Sequence, residues 1–163
     1  MEWRKRIPFA VVTVFVLVSM GSAQLLPQGL PLEMAEKLVE AKQIYVATQR
    51  KDGSRSEAAP VWFGIMEGCI WFTTSPDSHK GKRIRRGSPV FVSVEGKKGP
   101  FVRLRAEIVK DGEKAEALGK IYERKYWLAW LGFFRPSGER VQSGKVLLIR
   151  LLPEEASEPG SKP

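Results

Sequence analysis

Between residues 78 and 86 the chain reads Ser-His-Lys-Gly-Lys-Arg-Ile-Arg-Arg. His79, Lys80, Lys82, Arg83, Arg85 and Arg86 crowd basic side chains into one short segment. That pattern suits anion capture, because a phosphate needs cations and hydrogen-bond donors converging on one place. Gly81 lets backbone approach an anion closely. Ser78, near a helix start, presents free backbone N–H groups. On a helix Ser78, Lys82 and Arg85 share one face, while Lys80, Arg83 and Ile84 share another. Two or three cations therefore meet one phosphate, Ile84 anchors the segment to the core, and the other charges face water. The competing reading is a solvated basic face throughout.

The remaining reactive residues are few. The chain has one cysteine, Cys69, and one histidine, His79. An intrachain disulfide and a multi-histidine or multi-cysteine metal site are excluded, so no metal is expected. Cys69 reads as a small buried filler. Nothing resembles a phosphate loop, a nucleophile elbow or a zinc motif, and no catalytic residues stand out. Asp52 belongs to a turn. Trp62 and Phe63 either stack near a planar ligand or fill the core. The cluster Tyr126, Trp127, Trp130, Phe133 and Phe134 is core, subunit contact or the wall of a substrate pocket, with subunit contact preferred. Arg103 and Arg105 read as a solvent face or salt-bridged rim, or as an anchor for an anionic substrate.

The elements that must position these residues follow from periodicity. Residues 32–42 carry Leu32, Ala35, Leu38 and Val39 at helical spacing. Strands are expected at 44–49, 56–66, 69–74, 89–95, 101–110 and 145–152, with Asp52-Gly53 marking the first hairpin turn. Pro60 places its strand at an edge or bulge. Residues 79–86 form a short basic helix or turn, and 111–126 a helix capped by Asp111. Residues 137–143 read as polar loop. With 163 residues, 43% apolar and 28% charged, this is one globular domain. The fold class is mainly β (α+β): six mostly antiparallel strands curling into a small barrel with flanking helices.

Order and spacing then resemble a known family. Tyr45-Val46-Ala47-Thr48, Asp52-Gly53 and Ala59-Pro60-Val61-Trp62-Phe63 are similar to the opening hairpin of pyridoxamine 5'-phosphate oxidase-like split barrels. Trp71-Phe72-Thr73-Thr74, the basic segment 78–86 and Pro89-Val90 resemble that family's phosphate-binding stretch, and 147–153 its final strand. The resemblance implies a split barrel over residues 32–153 that binds flavin mononucleotide (FMN), or alternatively a deazaflavin coenzyme or haem. It also implies a homodimer with the cofactor between two barrels, and oxidoreductase activity. Ala59, Pro60, Val61 and Trp62 would line the flavin ring and ribityl chain. Thr73 and Thr74 would touch ribityl or phosphate oxygens. Ser78, Lys80 and Arg83 would hold the phosphate, with Arg83 standing where the family usually has Asn.

The N-terminus reads as an export signal. Arg4, Lys5 and Arg6 precede an uncharged apolar run from Ile7 to Met20, and Gly21-Ser22-Ala23 supplies small residues for cleavage after Ala23. A signal peptide over 1–23, a linker over 24–31 and a disordered tail over 154–163 are expected, with the mature protein periplasmic or secreted. The alternative is an uncleaved membrane anchor. With 27 Lys and Arg against 18 Asp and Glu, the chain favours anionic partners. Export argues against nucleic acid. A non-enzymatic periplasmic flavin or haem carrier on the same barrel is the alternative function, and His79 is the only imidazole available as a haem ligand.

Overall fold

The computed structural model describes residues 26–132 and 134–154. The expected signal segment, Phe133, the side chain of Trp130 and residues 155–163 lie outside the described residues. Helix α1 spans Leu32–Glu40, and strand β1 spans Ile44–Thr48. Strands β2 (Ala59–Val61), β3 (Gly64–Met66) and β4 (Cys69–Thr74) follow, then helix α2 (His79–Arg85). Next come β5 (Val90–Ser93), β6 (Val102–Val109), α3 (Gly112–Lys125), α4 (Trp127–Trp130), α5 (Gly138–Gln142) and β7 (Leu147–Pro153).

All pairings are antiparallel, and the sheet order is β2-β1-β5-β6-β7-β4-β3. The two edge strands are consecutive in the chain and separated only by Trp62 and Phe63. A flat seven-stranded sheet would put its edges about 29 Å apart. Three peptide links span at most about 11 Å. The sheet must therefore curl until its edges approach, which makes the half-barrel of a mainly β, α+β split barrel.

Seven strands stand where six were expected, because the run 56–66 breaks at Trp62-Phe63. The hydroxyl of Tyr126 accepts from the Phe63 N–H at 3.1 Å and donates to the Phe63 carbonyl at 3.2 Å. Tyr122 donates to the Trp62 carbonyl at 2.6 Å. Helix α3 and its C-cap thus take the backbone groups that a neighbouring strand would have used, and the ladder stops. Burial pushes the Tyr126 phenol up to about 12 and raises Tyr122 as well, so both stay protonated donors. Tyr126→Phe leaves the buried Phe63 N–H unpaired, at a cost of about 1–3 kcal/mol. Thermal unfolding should show a midpoint lower by roughly 2–4 °C for each kcal/mol lost. An unchanged midpoint would mean water replaces the hydroxyl.

Alternation builds two cores. Ile70 and Phe72 of β4, with Leu147, Ile149 and Leu151 of β7, fill the barrel with Leu38 of α1 and Ile84 of α2. Trp71 and Leu148 point the other way and pack under Leu118 and Tyr122 of α3. Residues 137–143 form a short helix rather than the expected loop, because Ser137 caps it by accepting from the Arg140 N–H at 3.4 Å. Cys69 is half-buried, and burial raises its thiol pKa. Arg103 ion-pairs at 2.9 Å with Glu154, the first residue of the expected tail.

Candidate functional site

Strand β4 hands the chain to α2 through a tight turn. The Ser78 hydroxyl accepts from the Gly81 N–H at 2.9 Å, donates to the Ser75 carbonyl at 2.8 Å and lies 3.2 Å from the Thr74 hydroxyl. A hydroxyl offers one donor and two acceptor positions. With its donor spent on Ser75, it accepts from Gly81 and Thr74, and Ser78 is saturated as a cap. Gly81 is buried against the turn, and a Cβ there would sit 2.1 Å from the Ser75 carbonyl oxygen.

Between α2 and the hairpin of β1 and β2 lies an open cleft of about 440 Å³. Ala59 and Pro60 form its edge-strand wall, and His79, Lys80 and Arg83 its helical wall. Arg83 Nη1 donates to the Thr48 hydroxyl at 3.3 Å, and the Thr48 N–H donates to Ser56 Oγ at 3.0 Å. Arg50 and Lys97 add positive charge, and Glu57 is the carboxylate among the lining residues.

Lys80 is the unusual group. Among the described residues it has no carboxylate partner. Its ammonium lies 6.0 Å from the Phe72 ring centroid. Burial against the barrel wall pushes its pKa down to about 8. A desolvated cation without a counter-charge, facing a cleft, is a group held ready for an anion.

The residues expected at the site separate into four environments. Ala59, Pro60, Lys80 and Arg83 meet in the cleft just described. Thr73 and Thr74 line a neighbouring cleft of about 280 Å³ with Phe134, Arg140 and Lys145. The Thr74–Ser78 contact joins the two. Trp62 stacks on Tyr126 at 4.3 Å and 4° and meets Tyr122 and Phe134 edge-on. One of its faces is therefore covered by protein. Val61 packs against the barrel core. Sequence reasoning missed Thr48, Arg50, Ser56 and Lys97 as lining residues. The one available signal was that β1 and the turn after it must lie beside β2 in a hairpin.

A family model described as pyridoxamine 5'-phosphate oxidase matches residues 30–158. No curated protein matches the sequence. Among solved structures, a conserved hypothetical protein of Mycobacterium tuberculosis is similar at 22% identity and TM-score 0.53, over 76% of this chain and 79% of that one. An FAD-binding protein of Mesorhizobium loti is similar at 19% identity and TM-score 0.53, over 76% and 87%. The haem storage protein HutZ of Vibrio cholerae is similar at 18% identity and TM-score 0.52, over 76% and 89%. At these identities the likeness concerns the fold.

Proposed function

The chain belongs to the pyridoxamine 5'-phosphate oxidase family, and from that premise we propose that it binds a flavin, FMN first, in the cleft between β2 and α2. The observation that carries this reading is Lys80, a desolvated cation with no carboxylate partner among the described residues, facing a cleft of about 440 Å³. That volume lies within the range of small-molecule sites. Lys80 and Arg83 would hold the phosphate. Ser78 would hold α2 in place through its cap, and Thr74 would steady Ser78. The exposed edge at Ala59 and Pro60 would present backbone to the ribityl chain and ring. A bound flavin would supply electron or hydride transfer.

We further propose a homodimer and export. The dimer reading is supported by the missing wall: β2 is a sheet edge, and Ala59 and Pro60 are exposed on it. A second copy there would close the cleft. Sedimentation should give a dimer, tightened by FMN. The export reading rests on the sequence pattern of residues 1–23. Among the described residues no helix is long and apolar enough to cross a membrane.

The direct test is an absorption spectrum of the purified protein with and without added FMN. A retained or saturable yellow chromophore supports the reading. A Soret band would replace it with a haem site and point to His79. A colourless protein that binds no added flavin, deazaflavin or haem sinks it.

The depressed Lys80 pKa adds a pH signature. A phosphate monoester has its second pKa near 6 and is mostly dianionic only above about pH 7. Lys80, with its pKa lowered to about 8, is half charged there and loses its charge as pH rises further. FMN affinity should therefore be greatest near pH 7 and fall as pH rises through about 8. In Lys80→Ala the fall near pH 8 should disappear. A wild-type profile flat to pH 9 would remove Lys80 from the phosphate site.

A further inference from the structure

Away from the flavin cleft, one face combines exposed apolar side chains with unpaired cations. Trp127, Leu131 and Phe134 are 71%, 50% and 74% exposed. Trp127 and Leu131 stand four residues apart across one helical turn and share a side of it. Phe134 has φ +57°, a left-handed backbone that non-glycine residues rarely adopt, and its ring meets Trp62 edge-on at 5.8 Å. Large apolar groups grouped in water mark a surface that something covers.

The charges around this face have one sign in excess. Arg124 stands three residues before Trp127, across the extended Tyr126 that separates α3 from α4, and Arg140 and Lys145 line the cleft beside Phe134. None of the three has an ion-pair partner among the described residues. Arg124 also lines a larger cleft of about 530 Å³, walled by Leu38, Val39 and Ile121 and bearing Lys42 and Lys125. The Lys125 ammonium sits 3.4 Å from the Phe63 ring centroid, and burial lowers its pKa to about 8. Of the nearby carboxylates, Arg135 occupies Glu116 and Glu123. Glu40 and Glu139 remain exposed.

We propose that this face docks on an anionic phospholipid bilayer, with Trp127, Leu131 and Phe134 entering the interfacial layer and the flanking cations meeting lipid phosphates. Tryptophan and phenylalanine favour headgroup depth, where one side of the ring is wet and the other apolar. Lysines and arginines around such a patch add attraction to anionic lipid. A second copy is the weaker occupant. A two-fold contact would gather Arg124, Arg140 and Lys145 of both copies into one interface, an excess of like charge. The proposal is independent of the flavin reading and uses none of that cleft's residues.

The test must separate this face from the apolar N-terminal run, which alone would hold the chain on vesicles. Hydrogen exchange of the full chain, followed by mass spectrometry, does so because it is local. On phosphatidylglycerol vesicles, exchange across residues 124–137 should slow several-fold. On phosphatidylcholine vesicles it should not. The exposed double substitution Trp127→Ser with Leu131→Ser should abolish the slowing while leaving the far-ultraviolet circular dichroism unchanged. Unchanged exchange at 124–137 in a chain that sediments with phosphatidylglycerol vesicles would overturn the proposal. Equal slowing on both lipids would overturn the anionic recognition. Slowing that depends on protein concentration without lipid would assign the face to a second copy.

Discussion

Lys80→Ala is expected to weaken FMN binding by roughly 10- to 100-fold, read as the dissociation constant from quenching of flavin fluorescence. A hydrogen bond to a charged group contributes about 1.5–3 kcal/mol, and each 1.4 kcal/mol is about tenfold in affinity. The upper part of that range applies here, because Lys80 is partly withdrawn from water and no carboxylate of the described residues competes for it. The same change should not destabilise the ligand-free protein. Desolvation holds the Lys80 pKa near 8, below its ordinary value, so the folded state disfavours the proton. Protonated Lys80 therefore weighs against folding at pH 7, and that cost begins to lift above about pH 8 and is gone above the ordinary lysine value of 10.5. Losing affinity without losing thermal stability is the signature of a binding residue. A variant that melts early and still binds FMN normally would make Lys80 a packing residue and empty the proposed site of its main cation.

Most of the fold was legible because it rests on local signals. Asp52-Gly53 marked the first hairpin, the strands expected at 69–74 and 145–152 stand as β4 and β7, and Asp111 caps α3. Pro60 was read as an edge or a bulge, and of the two the edge holds, since β2 is the end of the sheet. The break between β2 and β3 was illegible for a physical reason. Residues 56–66 look like one strand, and what interrupts them is Tyr126, 63 residues away, bonding both backbone groups of Phe63. A tertiary contact to a side chain leaves no periodicity at the place it acts. The helix at 138–142 failed differently, since Ser137 is a legible cap that was weighed as loop polarity.

The candidate site divides along the same line. The basic segment 78–86 announced an anion site, and α2 does bring Lys80 and Arg83 to one wall. Which partners stand opposite depends on how β1 and β2 wrap, so Thr48, Ser56 and Arg50 carried no local mark. Trp62 was the reverse case. Its type suited a flavin ring, yet Tyr126 stacks on one of its faces at 4.3 Å. Residue type says what a side chain can do, and packing decides what it is still free to do.

The second large effect should come from a residue that touches no ligand. Gly81→Ala is expected to remove measurable FMN binding while Lys80 and Arg83 are both still present. The new methyl would stand 2.1 Å from the Ser75 carbonyl oxygen and 3.1 Å from Pro76 Cα, and all these neighbours are backbone. A flexible side chain could swing aside, but a turn that already binds Ser78 twice cannot. Helix α2 must shift away from the end of β4, straining the Ser78 cap on the Gly81 N–H. Overpacking of this kind costs about 1–3 kcal/mol, which lowers the melting midpoint by several degrees. Displacing Lys80 and Arg83 together by even about 1 Å takes both cations off one phosphate, a far larger penalty than losing either charge. Ser78→Ala is the graded comparison: it removes the cap alone, costs about 0.5–2 kcal/mol, and should weaken FMN binding less than Gly81→Ala. If Gly81→Ala lowers the midpoint yet binds FMN as the parent does, the position of α2 is irrelevant to the phosphate, and the cofactor site must be sought along the Thr73–Thr74 cleft instead.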